Sequence, residues 1–347
     1  MKTSLNRPFS LRATTLATAI SLVLLAACSG KQTESKPVSS DNDKPTTTSP
    51  ASTKEADQKP GNAANTHEKV QAYIDCYNSA DRSGHDTIER YASWVNMKSG
   101  PTGKERHIYG LYSIHENVIN NCTKEITTAL AQQPALQPLD DTARAYLEAL
   151  QALAEQANEA DKYYERENYK DDGFAKGKQM HGPLVQAMEK FDAASDAFSD
   201  ALEAENSKLL AEELKRVEET EGRKLRYWRM VTMAEAKQLT NMIAEENFDI
   251  NKATAKLAEF EKAADELSNY AKAHKDELPT AWSIMEDAVE EFRIAAKERV
   301  RRVRDKKPYS QTESNWVGTS SGWMVEGSPD KLIREYNELV SRSNSTR

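Results

Sequence analysis

The chain has 347 residues and a formal net charge of −8, from 47 basic and 55 acidic side chains. That acidic balance argues against nucleic acid as a main partner, and the length is ample for a large core. Few glycines and few β-branched residues, in a background of Ala, Glu, Lys and Leu, favour helix over strand.

The N-terminus reads as a leader. Lys2, Arg7 and Arg12 form a positive region, and residues 13–25 are largely apolar and uncharged. The run is too short for an ordinary spanning helix and fits a secretory signal over 1–27. It ends in Leu25-Ala26-Ala27-Cys28, which resembles the lipobox of a bacterial lipoprotein. Cys28 is therefore the expected lipidation site and mature N-terminus. Each buried methylene of an acyl chain contributes roughly 0.8 kcal/mol, so several chains anchor almost permanently. Ser29, where Asp commonly retains a lipoprotein in the inner membrane, favours the outer membrane with the body facing the periplasm. No later segment is long and apolar enough to read as a transmembrane helix.

Residues 28–65 are the expected tether. Ser, Thr, Pro, Lys and Asp dominate and aromatics are absent, so the segment cannot bury enough apolar surface to offset its ordering entropy. As a flexible coil it spans about 30 Å, and fully stretched on the order of 120 Å. With Cys28 assigned to lipid, Cys76 and Cys122 remain. An oxidising compartment makes a disulfide the first expectation, with two buried free thiols as the alternative.

The body, 66–347, is dominated by helical periodicity. Val70, Tyr73, Ile74 and Tyr77 make a first stripe; Ile88, Tyr91, Ala92 and Val95 make a second, ended by Gly100-Pro101. A third helix is expected through Ile108, Leu111, His115, Ile119, Cys122 and Ile126. A fourth, capped by Asp140 or Asp141, carries Ala143, Tyr146, Leu147 and Leu150. After a turn at Tyr169–Gly173, a long helix runs from about Phe174 to Gly222, with breaks or kinks. Helices follow at 223–245, 249–274 and 280–305. A Gly/Ser/Trp loop at 306–328 leads to a last helix with Pro329 in its first turn. The expected fold is all-α, an elongated bundle of roughly eight to ten helices. No fixed-period repeat points to a solenoid.

Motifs for chemistry are weak. Gly318-Thr319-Ser320-Ser321-Gly322 matches G-x-S-x-G, but that motif needs a strand before it and a helix after it. His115-Glu116 lacks the second histidine of a zinc motif, since Ile119 stands there; His115 reads as a core histidine in its helix's apolar stripe. Gly173-x3-Gly177-Lys178 is one residue short of a phosphate loop. No catalytic residue, metal ligand or cofactor is expected. Tyr227, Trp228, Met230 and Met233 read as core. Trp316 and Trp323 either staple their loop to the bundle or line an exposed binding surface. The basic run ending the helix at 280–305 reads mainly as a solvated face near a helix C-terminus. Its Arg299, Arg301, Arg302 and Arg304 are the candidate contact for an anionic surface.

Several strings resemble the YiiG family of bacterial lipoproteins. They include Tyr73-Ile74-Asp75-Cys76-Tyr77-Asn78, Gly100-Pro101-Thr102-Gly103-Lys104-Glu105-Arg106, Glu167-Asn168-Tyr169-Lys170-Asp171-Asp172 and Trp323-Met324-Val325-Glu326. The resemblance covers the body from about residue 68 onward, together with the lipobox. It implies a lipoprotein with a helical periplasmic domain of unknown function, and brings no catalytic or ligand residues. The expected role is a non-enzymatic binding module for another envelope component. The alternative is a small-ligand or metal-ion binder, using the polar residues around Tyr163, Glu167 and Lys170 or the Trp loop. An enzyme with an unrecognised site is the third reading.

Overall fold

A computed structural model describes residues 60–346, with side chains from Asn65 onward. The leader, Cys28 and most of the tether lie outside the described residues. Within them the chain is all-α: ten helices and no strand.

Helix α1 (Pro60–Ala92) buries Val70, Tyr73, Ile74, Tyr77 and Ala80 at three- and four-residue steps. It begins at Pro60, inside the stretch that composition assigns to the tether, and its residues from Thr66 already pack. The two stripes expected as separate helices are one continuous helix. It runs through Gly84 because the α1 backbone there lies directly on the Phe191 ring, where a β-carbon would overlap the ring. Packing overrides the roughly 1 kcal/mol helix penalty of glycine.

The expected third helix is corrected. Residues 93–115 are irregular, with positive φ at Gly100, Gly103 and Gly110, and α2 (Glu116–Leu130) starts only at Glu116. His115 is its exposed N-cap residue, not a core histidine. Leu111 and Ile114 are buried and Ile108 packs half-buried against the first core, on a segment without regular secondary structure.

Helix α3 (Leu139–Glu165) has Pro138 at the cap position. Asp140 does not cap it. Its carboxylate is buried and accepts from Lys69 Nζ (2.8 Å), Tyr73 Oη (2.8 Å) and the Leu136 amide (3.1 Å). Lys69, fully buried, also donates to the carbonyls of Gln132 and Pro134, so one ion pair fixes the α2–α3 connection onto α1. The Cys76–Cys122 disulfide joins α1 to α2 with Cα atoms 4.5 Å apart. Its sequence separation of 46 corresponds to about 4 kcal/mol of unfolded-state restriction.

After the single-turn α4 (Tyr169–Asp172), α5 (Ala175–Glu221) runs unbroken for 47 residues, about 70 Å, despite Pro183. Its inward face is Leu184, Met188, Phe191, Ser195, Phe198 and Leu202, then Asn206, Leu209, Glu213 and Val217. The apolar part packs with α1, α2 and α3 into one core, dominated by aromatic contacts such as Tyr146 against Phe198 at 5.0 Å. Helices α6 (Leu225–Ile243), α7 (Ile250–Ala273), α8 (Trp282–Arg304) and α10 (Pro329–Ser345) form a second core around Phe260, Phe292 and Leu339. The turn at Gly222 sends α6 back along α5, where Lys237 pairs with Glu203. Between α8 and α10 lies the loop bearing the short helix α9 (Gln311–Trp316).

Candidate functional site

The loop between α8 and α10 is held by side chains that sequence reasoning assigned to the surface. Arg299 and Arg302 point inward, 3% and 5% exposed. Arg299 donates to the carbonyls of Ile243 (3.0 Å) and Glu245 (2.8 Å), and, at 3.4 Å, to that of Gly327. Arg302 pairs with Glu313 of α9 at 2.9 Å and stacks on Tyr309, 4.4 Å from the ring centroid. Of the four arginines proposed for an anionic surface, only Arg301 and Arg304 are exposed, and Arg304 is paired with Asp305. The four therefore form no common patch. A guanidinium with several fixed donors meets the bare carbonyls at helix ends, which a solvated face would leave to water.

Local chemistry completes the loop. Ser310 and Glu313 make a reciprocal capping box on α9, and accepting from the Ser310 backbone amide holds the Glu313 carboxyl below its usual range. Ser328 caps α10, accepting from the Lys331 amide (3.0 Å) while donating to the Gly322 carbonyl (2.8 Å). Gly327, at φ +68°, lies where a β-carbon would fall 2.8 Å from the Glu298 carbonyl oxygen. Val325 is buried beside it. Asp330 accepts from the Gly318 amide at 3.0 Å.

This frame leaves Trp316, Trp323 and Met324 exposed, at 38%, 42% and 49%. Trp323 walls an open groove of about 410 Å³ whose other wall is α10, through Asp330, Ile333, Arg334, Asn337 and Glu338. The Arg334 guanidinium stacks on the indole, 3.8 Å from its centroid. Both readings left open for the loop tryptophans meet in Trp323, which is exposed and is also held against α10 by Arg334. The residues on α10 carried no advance signal, because their spacing is that of any polar helix face.

A second exposed aromatic surface lies on the 93–115 segment. Thr87 and Asn158 strap its backbone to α1 and α3 by hydrogen bonds of 2.6–3.0 Å to Tyr112 and Ile114, and Trp94, within the segment, donates to the Gly110 carbonyl at 2.7 Å. Tyr109 and Tyr112 face outward, both within cation–π distance of Arg90.

The remaining candidates do not converge. Tyr163 is buried and donates to Asp172 (2.8 Å), whereas Glu167 and Lys170 pair with each other at the surface. Met230 and Met233 are core. Gly318–Gly322 lies in turns with no strand before it. No group of three or more His, Cys, Asp or Glu that could hold a metal occurs among the described residues. One buried polar cluster was missed by sequence reasoning. Ser195 Oγ donates to Asp81 Oδ1 at 2.5 Å, Tyr77 Oη lies 3.3 Å from Ser195, and His85 approaches the other Asp81 oxygen at 3.5 Å. Burial pushes the Asp81 carboxyl up. Ser195 bonds to a carboxylate rather than an imidazole, and is 2% exposed, so this is not a nucleophile–base pair.

The family model described as "Protein of unknown function (DUF3829)" matches residues 64–345, the whole two-core body and the groove. A relative from Escherichia coli (strain K12), "Uncharacterized protein YiiG", is 36% identical over 339 residues, covering 93% of this chain and 95% of its own. No solved structure matches the chain. With a family model spanning both cores and that identity over nearly the full length, the chain belongs to the DUF3829 family, alongside YiiG.

Proposed function

We propose that this protein is a lipid-anchored lipoprotein of the outer membrane, whose helical body serves in the periplasm as a non-enzymatic binding module for another envelope component. The Trp323 groove carries the binding half of this reading. A large ring left open to water on a loop fixed by two buried arginines is of little use to the fold, but is the feature a recognition surface needs. Leu25-Ala26-Ala27-Cys28 supports the anchor, and the Cys76–Cys122 bond supports an oxidising compartment.

Two measurements test the two halves. Cys28→Ser should abolish incorporation of a labelled fatty acid and move the protein from the membrane fraction to the soluble periplasm; unchanged membrane association rejects the anchor. A photo-crosslinking residue at position 323 in intact cells should give one reproducible adduct. Random neighbours only, at both 323 and 112, would reject the binding role.

A further inference from the structure

We propose that the loop carrying Trp316, Trp323 and Met324 docks on a lipid bilayer, seating those three side chains at the level of the headgroups. This rests on the reading of an anchored binding module and names the component it binds as the membrane surface itself.

Residues 314–325 contain no charged side chain. Within them Trp316, Trp323 and Met324 stand open to water. The backbone gathers them at one place. The Asp330 carboxylate accepts from the Gly318 amide and lies where a β-carbon on Gly322 would overlap it, so the chain between the two tryptophans doubles back onto α10. The nearest carboxylates are engaged within the loop, Glu313 by Arg302 and Ser310, and Asp330 by Gly318. Exposed cations border the apolar tip: Lys306 and Lys307 where the loop leaves α8, and Arg334 against the Trp323 indole. Buried Arg299 and Arg302 hold this frame in place, so the tip is fixed without being folded inward.

That arrangement fits a bilayer better than a protein partner. Tryptophan has an apolar body and a polar N–H, which suits the boundary between headgroups and acyl chains. The guanidinium on the indole face does not compete with such a surface. It sets a cation at phosphate level beside a ring that enters the boundary by its free edge. At 38%, 42% and 49% exposure the three side chains offer roughly 300 Å², well short of the ~800 Å² per partner of a stable protein interface. A body already held by acyl chains at Cys28 needs less area, because its docking is an intramolecular event at high effective concentration. From Cys28 to Pro60 the stretched chain spans on the order of 100 Å. That exceeds the length of α5, about 70 Å, so the anchor leaves the loop free to reach the same membrane.

The test uses the mature chain with its own N-terminal lipid, reconstituted into phosphatidylethanolamine–phosphatidylglycerol vesicles whose acyl chains are brominated or not. Bromine should quench the fluorescence of Trp316 and Trp323, and the three other tryptophans, packed in or against the cores, serve as the internal reference. Trp316→Phe with Trp323→Phe should cut the quenching at least threefold. Trp323→Glu with Met324→Glu should abolish quenching of the remaining Trp316, with unchanged helical circular dichroism. Flotation with the vesicles reports the anchor separately. A chain that floats but is not quenched overturns the docking while the anchor stands, and a chain that neither floats nor is quenched overturns both. Quenching that survives the double Phe variant also overturns it. In intact cells a photo-crosslinking residue at position 323 should capture phospholipid; a reproducible protein adduct there overturns the docking and leaves the binding-module reading intact.

Discussion

At the scale of single residues, the buried charges govern behaviour. Lys69 and Asp140 form an ion pair in the first core, and removing one partner leaves the other charged and unsolvated. Lys69→Met should lower the unfolding free energy by about 3–5 kcal/mol, and Lys69→Met with Asp140→Leu should recover most of it. Urea unfolding of the three proteins decides this; equal losses in the single and double variants would contradict it. Asp81 is a second case. Its folded carboxyl is pushed up by burial, so the native state holds its proton at pH values where the unfolded chain has released it. Stability contributed by that proton is present below the unfolded value of about 3.9 and is lost as pH rises through the raised folded value. Asp81→Asn should therefore gain stability relative to the parent as pH rises from 4 to 7, read from urea midpoints. A constant difference across that range would contradict the assignment. Neither residue was legible in advance. A lysine and an aspartate 71 positions apart look like surface charges until α1 and α3 are packed together.

At the scale of elements, most helices were legible, because apolar residues at three- and four-residue steps need only local sequence. The α7 and α8 boundaries and the Pro329 start of α10 fall within two residues of their expected positions. The stretch 93–115 was misread for a physical reason. Inward residues every third position satisfy a helical template, but the positive-φ Gly110 lies between Ile108 and Leu111, and hydrogen bonds with Thr87, Trp94 and Asn158 hold the irregular backbone in place. The continuity of α1 shows only in the structure, where Gly84 lies against the Phe191 ring. Gly84→Ala should destabilise by about 1–3 kcal/mol despite its better helix propensity, since the Phe191 ring is fully buried and has nowhere to move. Adding Phe191→Leu should restore part of the loss; stabilisation by Gly84→Ala alone would contradict the close contact. The loop carrying Trp323 depends on Arg299 in the same way. Arg299→Leu should speed amide exchange across 306–328 while leaving exchange in α1–α3 unchanged. Equal acceleration everywhere would mean that the arginine supports the whole fold and not the loop.

At the scale of the whole molecule, the long helix α5 belongs to the first core and is linked to α6 of the second by the Lys237–Glu203 ion pair. The inward face of α5 grows more polar toward its C-terminal end, from Phe198 and Leu202 to Asn206 and Glu213. The disulfide ties only the first core. Cys76→Ala with Cys122→Ala should therefore lower stability by up to about 4 kcal/mol in that core and leave protection of α6–α10 in place, measured by hydrogen exchange. Uniform loss of protection would show that the two cores unfold as one. By itself the sequence determined the helical class and the positions of most helices, because periodicity and capping chemistry are properties of neighbouring residues. Only the tertiary structure decided which charges are buried, that Arg299 and Arg302 brace a loop, and that Trp323 faces Asp330, Arg334 and Asn337 across a groove. Those relations depend on distances between helices, and a linear pattern of polar and apolar residues does not contain them.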